Sequence, residues 1–80
     1  MSFMFEVYYP PPEDLPKEAS LAERVSRFGG RLDYREVPEG EGQGGVCLTF
    51  EFPEFDQARA AADWLRGQGE HVEGPMDYGP

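Results

Sequence analysis

The sequence predicts an α+β sandwich, with four antiparallel strands in one sheet and two helices packed on one face. Three observations carry that expectation. Apolar and polar residues alternate from Phe3 to Tyr9 and again from Val46 to Phe52. Apolar residues take helical spacing in two other stretches, Leu21 to Phe28 and Phe55 to Leu65. Glycine and proline, ten and eight in number, fall mostly between these runs, where turns belong.

The first strand is placed at 3–9. Phe3, Phe5, Val7 and Tyr9 share one face, and Met4, Glu6 and Tyr8 the other. Period two in β-forming residues gives a strand with one buried side. Pro10, Pro11 and Pro12 then end it, because proline has no N–H for a ladder. The same prolines favour the polyproline II form, yet they form a short tether between two elements rather than a free docking tail. The first helix is placed at 16–28, where Leu21, Val25 and Phe28 follow at i, i+4 and i+7. Two starts compete. Pro16 suits a first turn, and Ser20 with Glu23 fits a capping box. Gly29 and Gly30 supply the stop, and Arg24 and Arg27 complement the helix dipole near it.

The second strand is placed at 31–37, with Leu32 and Tyr34 inward and Asp33, Arg35 and Val37 outward. The stretch "EGEGQGG" at 39–45 reads as a flexible turn. The third strand, 46–52, turns Val46, Leu48, Phe50 and Phe52 inward and Cys47, Thr49 and Glu51 outward, and pairs with the second as a hairpin. The second helix is placed at 54–66. Phe55, Ala58, Ala62 and Leu65 form its apolar stripe, with Ala61 at the margin and Asp56, Arg59, Asp63 and Arg66 outside. Gly67 and Gly69 close it. The last strand, 71–76, has Val72 and Met76 inward, is interrupted at Gly74-Pro75, and leads to a fraying tail. Eighty residues support one domain, 1–80, with one small core.

The order β-α-β-β-α-β is the split βαβ arrangement. It resembles ferredoxin-like sandwiches, such as regulatory ACT-type modules. The likeness rests on element order over the whole chain, and fold does not fix function. The strand order 4-1-3-2 leaves one sheet face open. Its residues are the candidate interaction surface: Met4, Glu6, Tyr8, Arg35, Cys47, Thr49, Glu51, His71 and Glu73.

Charge excludes several functions. Sixteen acids against seven bases give a net charge of −9, which repels nucleic acid and anionic membranes. The start of the chain has no basic, apolar leader, and no apolar run reaches the roughly 20 residues of a membrane span. The expected compartment is the cytoplasm. The single Cys47 excludes a disulfide framework within the chain.

Catalytic and metal motifs are weak. Base-stacking on RNA needs aromatics on the central strands, and only Tyr8 faces outward there. The proline-rich first loop has two acids and few N–H groups, the reverse of an anion cradle. Cys47 and His71 fall two strands apart, about 9–10 Å by sheet spacing, too far for a nucleophile and its base. His71, Glu73 and Glu6 offer one imidazole and scattered carboxylates, a low-specificity metal pattern. Trp64 lies off the main stripe, as a rim residue or an anchor for a partner. No catalytic residue and no cofactor is expected.

The function expected is that of a small acidic interaction or regulatory domain, working through the open face by homodimer formation. Two other classes stand beside it. One is an acidic inhibitor or mimic docking on a basic nucleic-acid-handling protein, suggested by the base-free run from Glu36 to Asp56. The other is a small-ligand or metal-binding domain.

Overall fold

A computed structural model describes residues 2–37 and 45–77. The elements run β1 (Phe3–Tyr9), α1 (Leu15–Arg27), β2 (Arg31–Glu36), β3 (Val46–Phe52), α2 (Phe55–Gly67) and β4 (His71–Asp77). The strands form one antiparallel sheet in the order β2-β3-β1-β4, the ferredoxin-like arrangement. The flexible turn expected at 39–45 falls, except for Gly45, outside the described residues, as does the tail at 78–80. No described helix is long and apolar enough to cross a membrane.

The inner face of the sheet and the two helices meet in one core. Phe5, Phe50, Phe52, Val7, Val46 and Leu48 are sealed from water, with Leu21 and Val25 from α1 above them. The rings of Phe5 and Phe52 lie 5.2 Å apart, and those of Phe5 and Phe50 5.8 Å. Three rings clustered at the centre leave little height for a helix side chain. The sequence meets this by placing Ala58, Ala61 and Ala62 on α2, all fully buried, with Leu65 beside them. Ala61, expected at the margin, is thus part of the contact. Phe55, expected in the stripe, is 41% exposed and meets only the edge of the layer at Phe3, with centroids 5.8 Å apart.

Both helices end the same way. After α1, the N–H groups of Gly29 and Gly30 reach back to the carbonyls of Ser26 and Val25. After α2, those of Gly69 and Glu70 reach the carbonyls of Arg66 and Leu65. This is the Schellman pattern, and it needs a left-handed residue just past the cap. Gly29 and Gly69 supply it, at φ 93° and 92°. The helix therefore runs through Gly67 and stops at Gly69.

The start of α1 is settled by neither sequence candidate alone. Asp14 is the N-cap: its carboxylate accepts from the Lys17 N–H at 3.0 Å, and Pro16 lies in the first turn. Ser20 sits inside the helix, and Glu23 pairs forward with Arg27 at 2.7 Å rather than back with a cap.

Two bulges break the simple alternation. In β4 the register shifts across Gly74-Pro75, so Glu6 pairs with Glu73 while Met4 pairs with Met76. In β2 the shift falls between Leu32 and Tyr34. Arg31 stands across from Glu51 and Leu32 across from Phe50, but Tyr34 then meets Thr49 and Arg35 meets Leu48. Partners across a ladder share a face, so the bulge exchanges the faces of every later residue. This corrects two expectations. Tyr34 stands on the open face, and Arg35 does not; it reaches toward the helix layer.

There Arg35 meets the one buried charge of the described core. Glu18 on α1 is 7% exposed. The Arg35 guanidinium donates twice to it, Nε to Oε1 at 2.8 Å and Nη2 to Oε2 at 2.9 Å. Nη2 also donates to Glu13 at 2.8 Å. The Tyr9 hydroxyl donates to Glu18 Oε2 and accepts from the Asp14 N–H at 2.8 Å. Arg35 holds the Glu18 carboxyl below the usual carboxylate range, with help from Tyr9 and against the upward push of burial. Burial, then the bond to Glu18, pushes the Tyr9 hydroxyl up.

Glu18 prefers to be ionised when folded. Its stabilisation is full above the ordinary glutamate pKa of about 4.3 and drains as pH falls through the lowered value. Tyr9 prefers its proton, so its share is full below about 10 and drains as pH rises. Glu18→Ala should cost about 1–3 kcal/mol at pH 7, the range for hydrogen bonds to a charged group, trimmed because Arg35 keeps a third of its surface in water. Urea unfolding measures this. The gap between wild type and variant should narrow below pH 4, and a gap constant from pH 7 to pH 3 would contradict the assignment.

Candidate functional site on the open sheet face

Tyr8 is the centre of the open face because β1 is a central strand. It stands across from Cys47 on β3 and from His71 on β4. Its ring meets the His71 imidazole edge to face, at 5.6 Å and 88°. Its hydroxyl donates to Glu6 Oε1 at 3.0 Å. The Cys47 thiol donates to the other oxygen, Oε2, at 3.7 Å. One carboxylate thus gathers a phenol and a thiol from neighbouring strands. Cys47 is 8% exposed although it lies on the open face.

These contacts fix the protons. The hydrogen bond to Glu6, then burial, pushes the Tyr8 hydroxyl up. Burial pushes the Cys47 thiol up against the downward pull of the Tyr8 hydrogen bond, and the Glu6 charge adds to the rise. A nucleophilic cysteine needs the opposite environment, one that favours thiolate. His71 lies on the far side of Tyr8 from Cys47, and its Nε2 sits 2.9 Å from Glu73.

The structure brings Glu6, Tyr8, Cys47 and His71 into contact, with Glu73 joined through His71. Thr49 stands across from Glu6 in the ladder. Met4 and Glu51 stand across from each other further along, where Arg31 donates to Glu51 at 2.6 and 2.9 Å. Arg35 is absent from the face. Among the described residues, no group of three His, Cys, Asp or Glu side chains is placed to hold a metal ion. Glu6 is turned to Tyr8 and Cys47 instead of toward the His71–Glu73 pair.

Sequence reasoning missed Tyr34, which the bulge delivers to this face with 60% of its surface in water. The bulge left no mark in the alternation of "RLDYRE". Elsewhere, Trp64 is a rim residue between the helices. It packs against the core, 6.2 Å from the Phe28 ring, under the Arg24 guanidinium at 5.2 Å. The base-free acidic run is not an unbroken field either, since Arg31 neutralises Glu51 within it.

No protein-family model matches the chain, and no curated protein matches it. The raised, buried thiol makes a kinetic prediction. Iodoacetamide should alkylate Cys47 at least about tenfold more slowly than a free thiol at pH 7.5. Mass spectrometry over a time course reads the rate, and a rate above that of glutathione would restore Cys47 as a candidate nucleophile.

Proposed function

We propose that this chain is a small non-catalytic interaction or regulatory domain that works through its open sheet face by self-association. The observation that carries this reading is Tyr34, a large ring 60% exposed on that face. It continues a band of neutral side chains through Thr49 and Cys47 to Tyr8. Glu6 on the face is bonded to Tyr8 and Cys47, and Arg31 at one margin is paired with Glu51. A neutral band bordered by the Arg31–Glu51 pair is a place where an acidic chain can approach another copy of itself. The chemistry of the face supports a binding role over a catalytic one. Tyr8 and Cys47 both retain their protons, and Glu6 is occupied by the two of them.

Sedimentation velocity on the full chain tests the reading. A species of twice the 9.0 kDa chain mass is expected at tens of micromolar. A clean monomer across that range would overturn self-association.

A further inference from the structure

We propose that β2 is a docking edge for a second copy of this chain, whose own β2 adds to it antiparallel and joins the two sheets into one. This rests on the self-association reading above and specifies its geometry.

The two edges of the sheet are not alike. An edge strand offers unpaired backbone groups, and proteins blunt edges that should not pair. The β4 edge is blunted. Pro75 has no N–H, and a bulge interrupts the strand at Gly74-Pro75. The Arg66 guanidinium on α2 donates to the Val72 carbonyl at 3.2 Å and to the Gly74 carbonyl. β2 carries a bulge of its own, but among the described residues no side chain donates to its carbonyls. It has no proline, all its residues except Arg35 are exposed, and Leu32 and Tyr34 present 38% and 60% of their surfaces to water.

Charge favours a second copy as the occupant. The chain carries −9, which opposes self-association at most places on its surface. β2 is neutral, with Arg31 and Arg35 against Asp33 and Glu36. Its charges are also ordered for two-fold pairing. When two copies of a six-residue strand overlap fully and antiparallel, the first residue faces the last. Arg31 then faces the partner's Glu36, and the symmetry gives that pair twice.

The bulge makes this register possible. In a regular strand of six residues, the first and last point to opposite faces, so full overlap would set mismatched faces against each other. Here Arg31 and Glu36 both stand on the open face, across from Glu51 and Cys47. Leu32 and Arg35 both stand on the helix face, across from Phe50 and Leu48. In full overlap Leu32 therefore lies against the stem of the partner's Arg35, on matched faces. Two bulges at the same level leave the ladder with equal residue counts on each side. Glu36 forms no ion pair among the described residues, which leaves it free for this one.

Charge reversal tests the geometry on the full chain. Arg31→Glu sets like charges against each other at both ends of the proposed ladder, and so does Glu36→Arg. Each variant alone should dimerise about tenfold or more weakly than wild type. An equal mixture of the two should regain wild-type affinity, because each reversed position then faces the other. Arg31→Glu also removes the bond to Glu51, but that loss persists in the mixture and so cannot account for a recovery. Circular dichroism checks that each variant is folded. A monomeric wild type would overturn both the self-association reading and this inference. A dimeric wild type with unaffected variants, or weakened variants that mixing does not restore, would overturn the edge geometry alone.

Discussion

The sandwich depends on one buried carboxylate. Glu18 lies where α1, the end of β1 and β2 converge, and each of the three sends a group into the contact. A lone ionised side chain at that depth would be costly, so the site works only as a set. Arg35 balances the charge, Tyr9 fills a remaining acceptor position, and the Asp14 N–H fixes the Tyr9 oxygen. Through these bonds the proline-rich connection is tied at its far end as well as its near one. The helix therefore starts at a defined residue, with Asp14 both capping it and anchoring Tyr9. Few apolar contacts hold β2 against the layer above, since Leu32 is its only apolar residue besides Tyr34 and is itself partly exposed. The ionic bridge does much of that work.

The regular parts of the fold were legible because they obey a period. Alternation located β1 and β3, the spacing of Leu21, Val25 and Phe28 located α1, and paired glycines marked both helix ends. What failed was parity after a bulge. One extra residue in β2 reverses the direction of every later side chain, and the residue types of "RLDYRE" suit either direction. The ionic contact between Glu18 and Arg35 was hidden for the same reason, since it requires Arg35 to face inward. One signal did exist. Glu18 lies three residues before Leu21 and seven before Val25, squarely on the apolar stripe. An acid in that position demands a buried partner, and the unassigned arginines were few.

The open face combines two kinds of surface. Around Tyr8 it is closed in on itself, with Glu6 holding the phenol and the thiol, and the His71 ring standing against Tyr8. Toward β2 it is unfinished, ending in a tyrosine ring with water on most of its surface. The first region resembles a small second core, its phenol and thiol both held in their protonated forms. The second has the exposure that contact surfaces commonly show. The chemistry of the face thus changes across three strands, from satisfied at β1 to unsatisfied at the β2 edge.

The contrast between the two edges sets how large any sheet-based assembly can grow. A sheet with two open margins can add neighbours on both sides without limit, which is the route to fibres. Here Pro75 and the reach of Arg66 to the β4 carbonyls close one margin. On the proposed edge pairing, the sheet is left with a valence of one. Such a unit can complete a pair and then has no margin left to offer, so its growth ends with the first partner.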